Sequence, residues 1–244
     1  MTVWTVCAGN TRVAMASWGD SLGVPLQTHR FQSEEILQVP VDWEEPSRIL
    51  YASVRPDLDG KLLDQIRLQA GCPVRVVESG AQIGSLTNAC DPPEAVGVDR
   101  LLGAFAGWKR SGGDTLTVDF GTAATYNLVR ADGTFLGGMI APGLGLGIRA
   151  LARDTSLLPE VSLSPEVSPF AVRTEEAIQA GVLWGAVGTL DRLTREAENR
   201  CGGQVRVIAT GGDAQTVAAV SDRIDSVVPH LVLEGLRRLD DETP

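Results

Sequence analysis

Val6-Cys7-Ala8-Gly9-Asn10-Thr11-Arg12-Val13-Ala14 near the start and Val118-Asp119-Phe120-Gly121-Thr122-Ala123-Ala124-Thr125-Tyr126 at mid-chain read as two copies of one device. Each is an apolar run, a Gly with Asn or Thr beside it, and a second apolar run. That pattern predicts a strand, a tight turn and a returning strand. Successive backbone N–H groups exposed in such a turn form a seat for phosphate oxygens. The copies differ where chemistry is most affected, with Cys7 in the first and Asp119 in the second. A carboxylate there can hold a cation or an ordered water beside a nucleotide; a neutral thiol does so poorly.

Outward from the two copies the elements alternate. Strand-like runs cover 3–8, 12–18, 49–54, 74–77, 116–120, 125–130 and 205–210, and helix-like runs cover 33–39, 58–70, 98–109, 145–151, 174–200 and 214–221. The polar, Gly-rich stretch 109–114 separates the copies and predicts a division into 1–113 and 114–244. Residues 157–169, with three prolines and three serines, read as a surface loop, and 240–244 as a charged end. Two α/β halves that each open on a phosphate-type hairpin predict a ligand cleft between them.

The chain has 244 residues, 43% hydrophobic and 21% charged, enough to bury one large core or two modest ones. Its formal net charge of −10, from 21 Lys+Arg against 31 Asp+Glu, argues against a nucleic-acid binder. Cys7, Cys72, Cys90 and Cys201 lie far apart, as do His29 and His230, which argues against a zinc site or a disulfide framework. With no basic leader and no apolar stretch long enough to span a bilayer, the expected location is cytoplasmic.

Six motifs follow one another in a recognisable order: Gly9-Asn10-Thr11, Gly97-Val98-Asp99-Arg100, Val118-Asp119-Phe120-Gly121-Thr122-Ala123, Leu136-Gly137-Gly138-Met139-Ile140-Ala141-Pro142-Gly143, Thr174-Glu175-Glu176-Ala177-Ile178-Gln179-Ala180-Gly181 and Ile208-Ala209-Thr210-Gly211-Gly212. In this order the chain resembles the type III pantothenate kinases of the actin, Hsp70 and sugar-kinase superfamily. The resemblance implies two actin-like (ribonuclease H-like) α/β domains with a central nucleotide cleft. It also implies phosphoryl transfer from ATP to the terminal hydroxyl of pantothenate, the first step of coenzyme A synthesis. Family members are homodimers that use Mg²⁺ with a monovalent cation such as K⁺ or NH₄⁺, and their pantothenate pocket lies against the partner subunit.

Read alone, Asp99 opens an apolar-periodic helix (Leu101, Leu102, Phe105, Ala106) and is a helix N-cap or first-turn acid. The resemblance makes it the base that accepts the pantothenate hydroxyl proton, kept ionised and weakly basic by the helix N-terminus. Arg100 then clamps the pantothenate carboxylate or a phosphate oxygen; its plain alternative is a surface ion pair, with Asp91 for example. Gly97, Val98, Cys90 and Thr174 complete the expected pantothenate contacts, and Thr174 doubles as a helix N-cap. Expected ATP contacts are Cys7, Ala8, Gly9, Asn10, Thr11, Arg12, Val13 and Ala14, then Thr122, Gly211 and Gly212.

Asp119 ends an apolar strand, where a carboxylate is costly to bury unless it meets a cation or N–H donors, and the resemblance implies the monovalent cation there. Its plain alternative is a turn cap. Two positions depart from the family pattern: Cys7 replaces an Asp of the first phosphate motif, and Cys90 aligns with a pocket Tyr. Three functions therefore stand open: a pantothenate kinase, a family member with weak or no kinase activity and a nucleotide-binding or regulatory role, and another kinase or phosphatase of the superfamily.

Overall fold

The computed structural model describes residues 2–20, 22–32 and 43–242, so the helix expected at 33–39 lies outside the described residues. In chain order the elements are β1 (Val3–Ala8), β2 (Arg12–Trp18), β3 (Gln27–Gln32), β4 (Arg48–Ser53), α1 (Pro56–Ala70), β5 (Val74–Val77), β6 (Gln82–Ile83), β7 (Leu86–Asn88), α2 (Val98–Ser111), β8 (Thr115–Phe120), β9 (Ala123–Val129), β10 (Thr134–Pro142), α3 (Leu144–Asp154), α4 (Thr174–Cys201), β11 (Arg206–Thr210), α5 (Ala214–Ala218), β12 (Ser226–Val227) and α6 (Leu231–Glu242). They form two compact units. The first comprises Met1–Lys109, Gly133–Phe135 and His230–Pro244, and the second Arg110–Asp132 and Leu136–Pro229. Among the described residues no helix is long and apolar enough to cross a membrane.

In the first unit a sheet runs in the order β3-β2-β1-β4-β5. Strand β1 is antiparallel to β2 and parallel to β4, and every one of its residues is buried, as a central strand covered on both faces requires. Helix α1 starts with Pro56 and the first-turn acids Asp57 and Asp59, and stops at Gly71, whose left-handed conformation lets its N–H bond to the Arg67 carbonyl. It lays Leu62 and Ile66 on Trp4, Val6, Ile49 and Tyr51, each side chain contributing about 1.5–3 kcal/mol of burial. Helix α6 packs on β1, β2 and β4. At the start of β10, Thr134 and Phe135 pair with Thr87 and Asn88 of β7.

In the second unit the strands run β12-β11-β8-β9-β10, with β8 antiparallel to β9 and parallel to β11. Counted from each unit's own first strand, both sheets follow the order 3-2-1-4-5. The repeated hairpin in the sequence is therefore the opening of a repeated fold, and its register is repeated too. Cys7 is the penultimate residue of β1, paired with Ala14 and Ala52; Asp119 is the penultimate residue of β8, paired with Thr125 and Thr210.

The expected division at 113/114 differs from this architecture in two respects. Helix α2 continues through Ser111, with the division between units falling at Lys109/Arg110, and the last segment, from His230 on, joins the first unit. The cause is the inner face of α6. Leu231, Leu233, Leu236 and Leu239 are buried with Glu234, Arg237 and Asp240, and the Arg48 Nε of β4 donates to Asp240 at 2.7 Å. Asp240, Asp241 and Glu242, read from the sequence as a charged end, are the last turn of that helix.

Candidate active site

The first unit gathers one set of the expected residues. The turn after β1 is closed by the Gly9 N–H donating to the Arg12 carbonyl at 3.0 Å, leaving Asn10, Thr11 and Arg12 exposed at its tip. Ala8 and Val13 are fully buried and Cys7 nearly so, with Ala14 half-buried, so their side chains build the sheet while the turn residues offer the contact surface. Arg55, which sequence reasoning missed, donates from Nη1 to the Asn10 carbonyl at 2.8 Å and forks onto Asp57 with Nε and Nη2 at 2.9 and 2.8 Å. Its only signal in the sequence is an Arg closely following a strand and directly before Pro56.

The second motif meets the first through Val54, whose N–H donates to the Ala8 carbonyl at 3.0 Å. A Cβ on Gly97 would lie 3.7 Å from the Val54 Cγ1 and only 2.6 Å from the Asp99 Oδ1. Glycine at 97 is thus what allows the Asp99 carboxylate to fold back over the helix start. There Oδ1 accepts the Arg100 N–H at 2.8 Å, while the Arg100 and Leu101 N–H groups reach the Gly97 carbonyl at 3.0 and 3.3 Å. Val98 is buried and packs in the core.

The electrostatics correct the expectation for Asp99. Burial raises its carboxyl above the ordinary carboxylate range, outweighing the Arg100 N–H and the Arg100 charge, which act the other way. The group is a stronger base than the helix N-terminus alone would make it. Arg100 is pulled down chiefly by burial, with the charges of Cys90 and Asp99 opposing. Its guanidinium stands 5.9 Å from the centre of the Phe135 ring, a cation–π arrangement. Cys90, Gly97, Asp99 and Arg100 therefore share one neighbourhood.

The second unit gathers the other set. Asp119 is half-buried at the end of β8, with its Oδ1 against the backbone of Gly121 and Gly211; a Cβ on Gly121 would lie 3.1 Å from it. Gly211 has φ +98, and a Cβ there would meet Asp119 Oδ1 and lie 2.5 Å from the Phe120 carbonyl carbon. Thr122 is exposed at the hairpin tip, and its carbonyl accepts the Gly143 N–H at 3.1 Å, which ties the hairpin to the start of α3. Asp213, at the N-cap of α5, donates its N–H to the Phe120 carbonyl at 3.1 Å, and burial raises its carboxyl. Thr174 is exposed, but it is the first residue of α4, not its cap: Arg173 holds that position without a side-chain cap hydrogen bond.

Among the described residues no three His, Cys, Asp or Glu side chains cluster as a metal centre. What Asp119 offers is one carboxylate against glycine backbone, a hard-oxygen environment that fits an alkali-type cation better than a soft metal.

The sequence profile of the type III pantothenate kinases matches residues 4–196. A type III pantothenate kinase from Roseiflexus sp. (strain RS-1) is 31% identical over 245 residues, covering 96% of each chain. One from Koribacter versatilis is 34% identical over 197 residues, covering 81% of this chain and 72% of its own. Among solved structures, one from Campylobacter jejuni assigned to the Baf family of transcriptional activators superposes with a TM-score of 0.68 at 19% identity, covering 99% of this chain and 98% of that one. A glucokinase from an Antarctic psychrotroph gives 0.50 at 11% identity, covering 98% and 99%. The structural likenesses show the fold, two actin-like α/β units. With the profile spanning the hairpins, the Asp99 helix and most of α4, the chain belongs to the type III pantothenate kinase family.

Proposed function

We propose that this chain transfers the terminal phosphoryl group of ATP to the primary hydroxyl of pantothenate, giving 4′-phosphopantothenate, with Asp99 as the base and Arg100 as the anion clamp. The observation that carries this reading is the half-buried Asp99 carboxylate, folded over the start of α2 beside Arg100, whose N–H donates to its Oδ1 at 2.8 Å. The oxygen of the hydroxyl bonds to the γ-phosphorus as the bond from phosphorus to the β,γ-bridging oxygen breaks; the hydroxyl proton passes to Asp99, and ADP leaves. Such a loose transition state depends more on positioning and charge than on a strong base. Arg100, stiffened by Phe135, binds the pantothenate carboxylate.

In the first unit the exposed turn residues Asn10, Thr11 and Arg12 offer contacts for phosphate; in the second, Thr122 does the same and Gly211 and Gly212 offer backbone to the adenosine. Mg²⁺ entering with ATP would neutralise charge that develops on the transferring phosphoryl group. Asp119 would hold the monovalent cation, K⁺ or NH₄⁺. Thr174 reaches pantothenate across a homodimer, a reading supported by the exposure of Phe170 and Val172 (94% and 99%) just before it. The protein works in the cytoplasm. Incubation with ATP, Mg²⁺, K⁺ and pantothenate, read by mass spectrometry for phosphopantothenate, tests the activity; ATP turnover with other alcohols but none with pantothenate would overturn it.

A further inference from the structure

The geometry points to Asn88 as a positioning residue for the pantothenate half of the site, acting through the loop that carries Cys90 and leads into Gly97-Val98-Asp99-Arg100. This inference rests on the substrate reading above. Asn88 closes β7 and is 6% exposed, so each polar atom of its amide must find a partner. It does so entirely on backbone groups around this loop. Its Oδ1 accepts the Cys90 N–H at 3.1 Å, and its Nδ2 donates to the Gly80 carbonyl at 3.1 Å and the Pro93 carbonyl at 2.9 Å. One amide thereby ties together the chain entering β6, the backbone of Cys90 and the segment that approaches Gly97.

Phe135 adds the second support, because its carbonyl accepts the Ala89 N–H at 3.0 Å while its ring lies beneath Arg100. Asn88 and Phe135 are paired residues of β7 and β10, so the loop backbone and the Arg100 guanidinium are referenced to the same rung of the sheet. Asn88 itself touches neither reacting group.

The test combines steady-state kinetics with peptide-mapped alkylation of the cysteines in the full chain, for wild type, Asn88→Ala, Asn88→Asp and Asn88→Ser. Asn88→Ala is expected to raise the KM for pantothenate by on the order of ten- to a hundredfold, the scale of a misplaced binding group, with the KM for ATP unchanged. Cys90 is expected to alkylate several-fold faster, with Cys72 and Cys201 at wild-type rates. Asn88→Asp keeps the acceptor for the Cys90 N–H but turns a carboxylate oxygen toward the Gly80 and Pro93 carbonyls, so both readouts should move at least as far as in Asn88→Ala; Asn88→Ser, whose hydroxyl can still donate or accept, serves where those two do not fold. Wild-type Cys90 reactivity and pantothenate KM in these variants would overturn the role, and so would an equal rise in both KM values with all three cysteines accelerated together. A wild type that leaves pantothenate unphosphorylated, yet shows the selective Cys90 response on substitution, would sink the kinase reading and not the positioning role.

Discussion

Gly211 and Gly212 look interchangeable in the sequence, but the structure separates them, and alanine at each makes opposite predictions. At Gly211 the backbone φ is +98, and a Cβ would meet the Asp119 carboxylate and lie 2.5 and 2.6 Å from the carbonyl carbon and oxygen of Phe120. Left-handed backbone costs a residue with a Cβ about 1–2 kcal/mol. Overpacking a rigid core adds about 1–3 kcal/mol. The neighbours cannot yield cheaply, since Val118, Phe120, Val207 and Ala209 on the paired strands are all buried. Gly211→Ala is therefore expected to cost about 2–5 kcal/mol, lowering Tm by roughly 4–20 °C, and to raise the KM for ATP by displacing Asp119. Nothing lies within 4 Å of a Cβ at Gly212, so Gly212→Ala should stay within about 0.5 kcal/mol of wild type. Urea unfolding and ATP kinetics on both variants decide the matter; equal stability of the two would refute the reasoning.

Asp99→Asn is expected to lower turnover by on the order of 10² to 10⁴ with the fold intact. Because burial holds the Asp99 pKa above 3.8, the acid limb of the pH–rate profile should lie above that value. The stability cost of its ionised form starts above pH 3.8, is complete once pH has risen through the folded pKa, and should vanish in the Asn variant. Asp119→Ala should abolish any stimulation by K⁺ or NH₄⁺, and equal wild-type rates in sodium and potassium would count against the cation. Glu242 is pushed upward by burial but held below 4.5 overall by hydrogen bonds from Lys109 and Ser85. Its contribution, about 1 kcal/mol, should be present above pH 4.5 and disappear as pH falls through the folded pKa, so Glu242→Gln and wild type should converge there in thermal melts.

What the sequence made legible was local. The hairpins declared themselves through two apolar runs around a Gly turn, and α2 through its 3.6-residue apolar period. Strand β3 escaped because only Phe31 of its six residues is buried, as befits an edge. Strand β10 carries Gly137 and Gly138 in its interior, residues that weaken a strand pattern; the structure uses Gly138 to bring the strand against the Tyr126 backbone. Helix α6 hid behind buried charges whose partners include the distant Arg48 and its own Arg238 and Asp241. The raised proton affinity of Asp99 and the role of Asn88 depend on packing and on backbone partners outside their own motifs, so neither had a local signal.

The same limit governs Cys7, which by sequence alone looks like a lost carboxylate. Neighbouring strands in register present side chains to the same face, and the partners of the two equivalent positions differ in kind. Asp119 is flanked by Thr125 and Thr210, whereas Cys7 is flanked by Ala14 and Ala52 and is 7% exposed. The apolar flanks match the thiol, so Cys7 belongs to its surroundings in the first unit as Asp119 does in the second. Cys7→Asp should accordingly cost at least about 1–3 kcal/mol, the scale for burying a polar group among apolar neighbours. A Cys7→Asp protein as stable as wild type, with faster Mg·ATP turnover, would show instead that a cation reaches this end of β1 and that the first hairpin can still use a carboxylate.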